Sequence, residues 1–181
     1  MMTLGQNWLY CPMARKKSRS KTAIHINGQP GALFPVAAIF VYLLVSAVAH
    51  LLWEIGQLRF YTLSTQGTRG EKIFAVLHCT AGDVLIAFFA LVAALMIAGK
   101  KVWPTHQFWR VGVLTLVFGL GYTVFSEWLN VYVRGSWAYT KDMPTLPPFG
   151  TGLTPVLQWL IIPILTLLVV KYSVRVKTGS E

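Results

Sequence analysis

The stretch LFPVAAIFVYLLVSAVAHLLW, residues 33–53, decides the fold class of this chain. It contains no Lys, Arg, Asp or Glu, and it is long enough to cross a bilayer as an α-helix, which takes roughly 20 residues. The small-residue cleavage pattern that ends a signal peptide does not follow Trp53. We therefore predict a retained transmembrane helix.

Three further apolar runs of this kind follow, at about 73–98, 111–133 and 153–170. The chain has 181 residues, of which 55% are hydrophobic and only 12% are charged, and its mean hydropathy is +0.56. Such a small charged fraction cannot cover a water-facing surface, and none of the runs has a charged outer face. The sequence predicts an all-α polytopic membrane protein, a four-transmembrane-helix bundle that forms one domain, residues 33–170.

The positions of Lys and Arg predict the orientation of this bundle. Eleven of the 16 basic residues lie on the side where the first run begins and the last run ends, and five lie on the other side. The eleven are Arg15, Lys16, Lys17, Arg19, Lys21, Lys100, Lys101, Arg110, Lys171, Arg175 and Lys177. Such an excess marks the cytoplasmic side. We therefore predict a bacterial inner-membrane protein whose basic N-terminal tail, 1–32, and C-terminal tail, 171–181, are both cytoplasmic.

The N-terminal tail would bind anionic headgroups of the bilayer rather than nucleic acid, because no aromatic residues interleave its basic run.

Two ionisable residues, His50 and Glu54, stand near the outer end of the first run. They are four residues apart and share one helix face, which Tyr42 and Ser46 continue inward. Ionisable side chains are costly in a bilayer and are functional candidates by default. Small polar residues at this spacing also serve helix packing, as we expect for Ser46. Because lipid would not tolerate this stripe, we predict that it faces the interior of the bundle.

The other runs place polar side chains at a similar depth. At about 1.5 Å of rise per residue, His50, His78, Glu127 and Gln158 lie roughly 5–10 Å below the outer surface. Glu54 is then at that surface and Asp83 is near the midplane. On an ideal helix His78 and Asp83 point about 140° apart, so they meet only if the helix is distorted near Gly82, and otherwise serve different neighbours. The sequence thus predicts one polar layer beneath the outer face.

The segment RGSWAYTKDMPTLPPFGTG, residues 134–152, separates the last two runs. Its prolines and glycines exclude a continuous helix, and its aromatic residues, which include Trp137 and Tyr139, are too many for a solvated linker. We predict that it lies folded at the outer interface, as an aromatic belt or as a lid over the polar layer.

Three hypotheses for the polar layer stay open at this point. The first is a membrane-embedded enzyme on a lipid or isoprenoid-like substrate, with His50 and Glu127 as the acid–base pair and with Glu54 and Asp83 tuning them. The pocket lining would comprise His78, Asn130, Trp137, Tyr139 and Gln158.

The second hypothesis is a metal- or haem-binding membrane subunit in which His50 and His78 are the ligands of a transition metal or of haem b. The third is a non-catalytic accessory or transport protein, alone, as a homo-oligomer or within a larger membrane complex. The cofactor, if there is one, is not specified by the sequence, because no HExxH or CxxC pattern is present.

Several segments resemble a group of uncharacterised small four-helix bacterial inner-membrane proteins. They are HLLWEIGQLRFYTL, HCTAGDVLIAF, GYTVFSEWLNVYVRGSWAYTKDMPTLPP and GTGLTPVLQWLIIP, and the resemblance covers most of residues 33–170. It implies no particular activity. There is also a faint similarity to the emopamil-binding-protein-like (EXPERA) membrane fold, carried by the HxxxE at His50 and Glu54. Sterol isomerases of that fold use intramembrane His and Glu, which favours the first hypothesis, but no catalytic role is transferred to a residue here.

Overall fold

The computed structural model describes residues 33–98, 103–104 and 106–178. The predicted basic tail 1–32 lies outside the described residues, as do Lys100 and Lys101 of the inner loop. Part of the predicted C-terminal tail 171–181 is helical, because the last helix continues to Thr178.

The described chain consists mostly of four long helices. In chain order the elements are α1 (Leu33–Gln57), a 3-10 turn (Leu58–Phe60), α2 (Leu63–Gln66), α3 (Arg69–Ala98), α4 (Phe108–Trp128), a π-helical turn (Leu129–Val133), β1 (Thr145–Leu146), β2 (Thr151–Gly152) and α5 (Leu153–Thr178). Helices α1, α3, α4 and α5 are each long and apolar enough to cross a membrane.

Helix α1 is one turn longer than the apolar run predicts, since it ends at Gln57 instead of Trp53. The predicted helix ends before Glu54 because a hydropathy analysis treats a polar side chain as exposed to water. In the structure Glu54 and Gln57 are buried inside the bundle, so the helix continues through them.

Helix α3 begins at Arg69, four residues before the predicted start. The cause is a local capping box at Thr68 and Glu71. The Glu71 carboxylate accepts a hydrogen bond from the Thr68 backbone N–H at 2.7 Å, and the Glu71 N–H donates to Thr68 Oγ1 at 3.3 Å. These reciprocal bonds satisfy helix-end donors and fix where α3 starts.

The four long helices pack in a ring, in which α1 contacts α3, α3 contacts α4, α4 contacts α5, and α5 contacts α1. Helix α1 has an inverted polarity: its exposed face is apolar, and its buried face is largely polar. The exposed stripe is Val36, Phe40, Leu44, Val48 and Leu52, and the buried stripe is Ala38, Tyr42, Ser46, His50 and Glu54. The predicted polar stripe therefore faces the interior of the bundle.

We call the end of the bundle that carries residues 58–68 and 129–152 the outer end and the opposite end the inner end. Most of the apolar core lies toward the inner end, where small residues of α3 let the helices approach closely. Its members are Ala38, Tyr42, Ala87, Leu91, Ala94, Leu95, Ala98, Trp103, Phe108, Val111, Trp159, Leu167 and Val170. Alanines at four-residue spacing on α3 present a smooth surface to the neighbouring helices. The inner end of α3 is thus closely packed against its neighbours.

The two outer connections fold against each other above the bundle. The Thr62 N–H donates to the Ala138 carbonyl at 2.9 Å, and the Thr140 N–H donates to the Phe60 carbonyl at 2.8 Å. Strands β1 and β2 pair antiparallel and lead directly into α5. The aromatic segment that precedes α5 is therefore held by backbone hydrogen bonds at the outer end, as a folded cap.

Two glycines of α4 give a test of this packing. A Cβ at Gly119 would collide with the indole ring of Trp159 on α5, whereas a Cβ at Gly121 would meet no atom within 4 Å. We expect Gly119→Ala to lower the free energy of unfolding by about 1–3 kcal/mol because the core is overpacked. Gly121→Ala should raise it by about 0.5–1 kcal/mol through helix propensity. Thermal unfolding in detergent measures both, and equal Tm values for the two variants would contradict the close α4–α5 contact.

Candidate functional site

The side-chain amide of Gln158, on α5, joins ionisable residues from two other helices. Its Nε2 atom lies 2.9 Å from His50 Nδ1, 3.1 Å from Glu54 Oε1 and 2.8 Å from Asp83 Oδ2. An amide nitrogen has only two protons to donate to these three atoms. At least one of the three contacts is therefore not a hydrogen bond donated by this nitrogen, and the three ionisable groups share a single donor group.

His50 and Asp83 form a direct pair within this cluster. The distance between His50 Nδ1 and Asp83 Oδ2 is 3.3 Å, and the indole N–H of Trp159 donates to the other oxygen of Asp83 at 3.3 Å. The rings of His50 and Trp159 lie 5.2 Å apart between centroids. The carboxylate and the indole thus fix the orientation of the imidazole.

Gln57 completes the cluster from the last turn of α1. Its Nε2 donates to Glu54 Oε1 at 2.6 Å and to Gln158 Oε1 at 3.2 Å, while its own carbonyl oxygen accepts from the Trp53 indole N–H at 3.2 Å. His50 is fully buried, Gln158 is 2% exposed and Glu54 is 9% exposed. Burial of ionisable groups is tolerated because each has hydrogen-bonding partners here.

Glu127, on α4, forms a second centre with the two outer connections. Its Oε2 atom accepts hydrogen bonds from the hydroxyls of Tyr139 and, at 3.5 Å, Tyr61. The Tyr139 oxygen in turn accepts from the Gly152 backbone N–H at 3.0 Å. Trp137 lies beside Glu127, with its indole N–H outside hydrogen-bond geometry. One carboxyl group therefore fastens both outer connections to α4.

The two tyrosines are proton donors toward Glu127. Burial raises the pKa of the Tyr61 and Tyr139 hydroxyls above the ordinary value, and the nearby Glu127 carboxylate raises both further. A phenol whose pKa is raised keeps its proton at neutral pH. Both hydroxyls thus stay protonated and able to donate.

A cavity of about 1260 Å³ connects the two centres. The carboxyl groups of Glu54, Asp83 and Glu127 all belong to residues that line it, although they come from three different helices. Predicted lining residues that do line it are His78, Asn130, Trp137 and Gln158. Tyr139 and His50 do not line the cavity. Each contacts a carboxyl group that does: Tyr139 contacts Glu127, and His50 contacts Asp83.

Apolar side chains line the part of the cavity that faces outward between α3 and α4. Phe74, Leu85 and Phe89 of α3 are each more than half exposed, as is Tyr122 of α4, and all four belong to the lining. Ala90 and Ala93, in the inner half of α3, also belong to the lining, so the cavity reaches past the middle of this helix. The cavity therefore has an apolar side opening between α3 and α4.

The structure divides the predicted site residues into groups. His50, Glu54, Asp83 and Gln158 meet in one cluster, whereas Glu127 contacts tyrosines instead of His50. Asn130 donates to the Ser126 carbonyl of its own helix at 2.9 Å. His50 and Glu127, the two residues of the predicted acid–base pair, thus belong to different centres of one cavity.

His78 lies apart from His50. It is exposed and stacks on Phe74, with ring centroids 5.5 Å apart, while Asp83 turns to the interior. Helix α3 is continuous past Gly82, so His78 and Asp83 serve different neighbours, which is one of the two predicted outcomes. Within residues 33–98, 103–104 and 106–178, no group of three or more His, Cys, Asp or Glu side chains is arranged to hold a metal ion.

Three contributors were missing from the predicted site: Trp159, Gln57 and Tyr61. Gln57 and Tyr61 continue the four-residue spacing of the α1 stripe beyond the apolar run, which was the available signal. Trp159 follows Gln158 directly, and its role depends on which face of α5 turns toward the interior of the bundle. No local pattern in the sequence gives that face.

Comparisons of this chain with protein-family models, with curated proteins and with solved structures find no match.

Gln158 is the residue whose loss should disturb the cluster most. We expect Gln158→Leu to lower the free energy of unfolding by about 3 kcal/mol, because three buried groups lose a common donor. In Tm this is a decrease of roughly 6–12 °C. The control Gln66→Leu changes an exposed glutamine of α2 and should leave Tm within about 1–2 °C. A Gln158→Leu protein as stable as the parent would show that the amide does not hold the cluster together.

Proposed function

We propose that this chain is a membrane-embedded acid–base enzyme that acts on a lipid or isoprenoid-like substrate. In this proposal it resides in a bacterial inner membrane, both termini are cytoplasmic, and the cavity opens toward the periplasmic side and sideways into the lipid. The excess of Lys and Arg at one end of the bundle supports the orientation.

The observation that carries the proposal is the cavity with carboxyl groups from three helices and an apolar opening between α3 and α4. An enzyme on an amphiphilic or apolar substrate needs such an opening, because the substrate must leave the bilayer without crossing water. A binding site with apolar walls and a few convergent polar groups is also the general form of small-molecule sites. Packing alone does not require the carboxyl groups to border open space.

The geometry supports Asp83 and Glu127 as the proton-transferring residues. Asp83 lines the cavity on α3, and Glu127 lines it on α4. Removal of a proton from one substrate atom by one carboxylate, and delivery of a proton to another atom by the second carboxyl group, gives an isomerised product with no change in composition. Glu54 shares the Gln158 amide with Asp83, so the two carboxyl groups compete for the same hydrogen-bond donor.

His50 acts as a positioning residue in this proposal. Its imidazole does not line the cavity and contacts Asp83 from behind. The role therefore differs from that of a direct acid–base partner of Glu127. Tyr139 has the matching position behind Glu127, where its hydroxyl donates a hydrogen bond to the carboxylate.

Carboxamide substitutions test the two proposed groups. We expect Asp83→Asn and Glu127→Gln each to reduce turnover by about 10²–10⁴-fold, because general acid–base catalysis contributes that much. The measurement compares total lipid extracts of cells that lack the protein with those of cells that produce the parent or a variant. The control Asp142→Asn alters an exposed carboxylate of the outer segment and should behave as the parent. Identical lipid profiles in all strains would refute the enzyme proposal.

Filling the cavity tests the site without touching an ionisable group. Gly82 lines the cavity, and a Cβ there meets no atom within 4 Å. We expect Gly82→Leu to melt at or above the parent Tm, since leucine favours the helix over glycine by roughly 1 kcal/mol. The lipid change produced by the parent should nevertheless disappear. Gly121→Leu, which also meets open space but is not in the lining, should keep it. Full retention in the Gly82 variant would mean that substrate does not enter this cavity.

A further inference from the structure

A second set of buried polar groups lies on the inner side of His50. Four atoms in it make no hydrogen bond of good geometry within the described part of the chain: Tyr42 Oη, Ser46 Oγ, His50 Nε2 and Thr166 Oγ1. Their residues are between 0% and 1% exposed. The hydroxyls of Tyr42 and Ser46 lie close to each other. The proposed acid–base reaction involves the other imidazole nitrogen, Nδ1, and these four atoms have no role in that reaction.

The helix register places the four atoms along one interface. His50 of α1 contacts Gln158 of α5, and the two helices are antiparallel neighbours in the ring. Moving eight residues inward on both helices from this contact leads to Tyr42 on α1 and Thr166 on α5. Ser46 lies between Tyr42 and His50 on the same buried face. The groups therefore form a file that starts at His50 and runs into the inner half of the bundle.

Buried apolar residues occupy neighbouring positions of the α1–α5 interface. Ile162 lies between Gln158 and Thr166 on α5, and Ala38 and Val170 lie at the inner end, all three buried. If the interface served only packing, apolar side chains would suit the file equally well, because an unpaired buried hydroxyl costs free energy. Each unpaired polar group in a native interior requires a partner, and water with two to four polar neighbours is the usual one.

We propose that Tyr42, Ser46, Thr166 and His50 Nε2 hold a file of buried water, and that this file carries protons between the inner half of the bundle and Asp83. A water molecule of the file gives a proton to Nε2, and the imidazole releases the proton on Nδ1 to Asp83. The next water of the file restores the donor. When Asp83 later returns a proton to Nδ1, the proton on Nε2 passes back to the file, so the imidazole regains its first tautomer and each exchange balances. The reacting carboxyl group thus exchanges protons from the inner side while substrate occupies the cavity. The water site itself does not depend on the proposed enzymatic function.

The groups that face His50 fit this direction of transfer. Asp83 on α3 and Glu54 on α1 lie on the Nδ1 side, together with the Gln158 amide of α5. Within the described part of the chain, no ionisable side chain hydrogen-bonds to Nε2. Proton acceptors are therefore concentrated at one end of the relay.

An isosteric substitution tests for the water. Thr166→Val removes a hydroxyl and keeps the shape of the side chain. If the hydroxyl binds water, we expect Tm to fall by about 2–4 °C, the loss of roughly one hydrogen bond. The control is Thr115→Val, at an equally buried threonine whose hydroxyl already donates to the Val111 carbonyl of its own helix at 2.8 Å. The Tm decrease for Thr166→Val should be comparable to that of the control, because each variant loses one hydrogen bond. A Thr166→Val protein that melts at or above the parent would overturn the proposal.

Solid-state NMR on the full chain in lipid bilayers, labelled with ¹⁵N-histidine, tests the relay directly. We expect magnetisation transfer from water to His50 Nε2 in the parent and in Gly82→Leu, whose outer cavity is filled. The transfer should be lost in the double variant Ser46→Ala/Thr166→Val. His50→Gln identifies the signal by its disappearance. A parent without water contact at Nε2, or a contact that is lost on filling the cavity and kept in the double variant, would refute the inner file. Neither readout requires the lipid substrate, so the failure of this proposal is distinct from failure of the enzymatic one.

Discussion

The contact between one amide group and three ionisable side chains constrains the outer half of this bundle. Gln158 brings α5 to within hydrogen-bond distance of Asp83 on α3 and of His50 and Glu54 on α1. In an apolar environment these groups are far more stable with each other than alone. The relative positions of three helices at this level follow from that requirement. The indoles of Trp53 and Trp159 add donors at the edges of the cluster.

The two halves of the bundle differ because their interfaces are built from side chains of different size. Toward the inner end, buried alanines such as Ala94 and Ala98 allow α3 to pack tightly against its neighbours. Nearer the outer end, long polar side chains on α1 and α5 interact with each other, and the cavity lies beside them. Its apolar rim consists of exposed side chains of α3 and α4, such as Phe89 and Tyr122.

Glu127 links the chemistry of the cavity to the conformation of the outer cap. Tyr61 and Tyr139 pair as an isolated backbone bridge, and both hydroxyls converge on this carboxyl group. The π-helical turn that begins two residues later, at Leu129, ends α4 directly beneath the cap. Such turns are frequent at functional sites. Any change in the charge of Glu127 would therefore alter the hydrogen bonds that it makes with both outer connections.

The sequence by itself determined that the chain folds into four long helices, each apolar enough to cross a membrane, because long runs almost free of charge leave few alternatives. It also determined that the face of α1 with His50 and Glu54 is internal, since four-residue spacing defines a helix face. It could not determine which residues of different helices meet. The sequence predicts different depths for Glu54 and Asp83, yet both carboxyl groups contact the Gln158 amide. The length of the side chains and the additional turn of α1 make up the difference in depth. The separation of His50 from Glu127 likewise depends on the order of helices around the ring, a property of tertiary packing that no local pattern encodes.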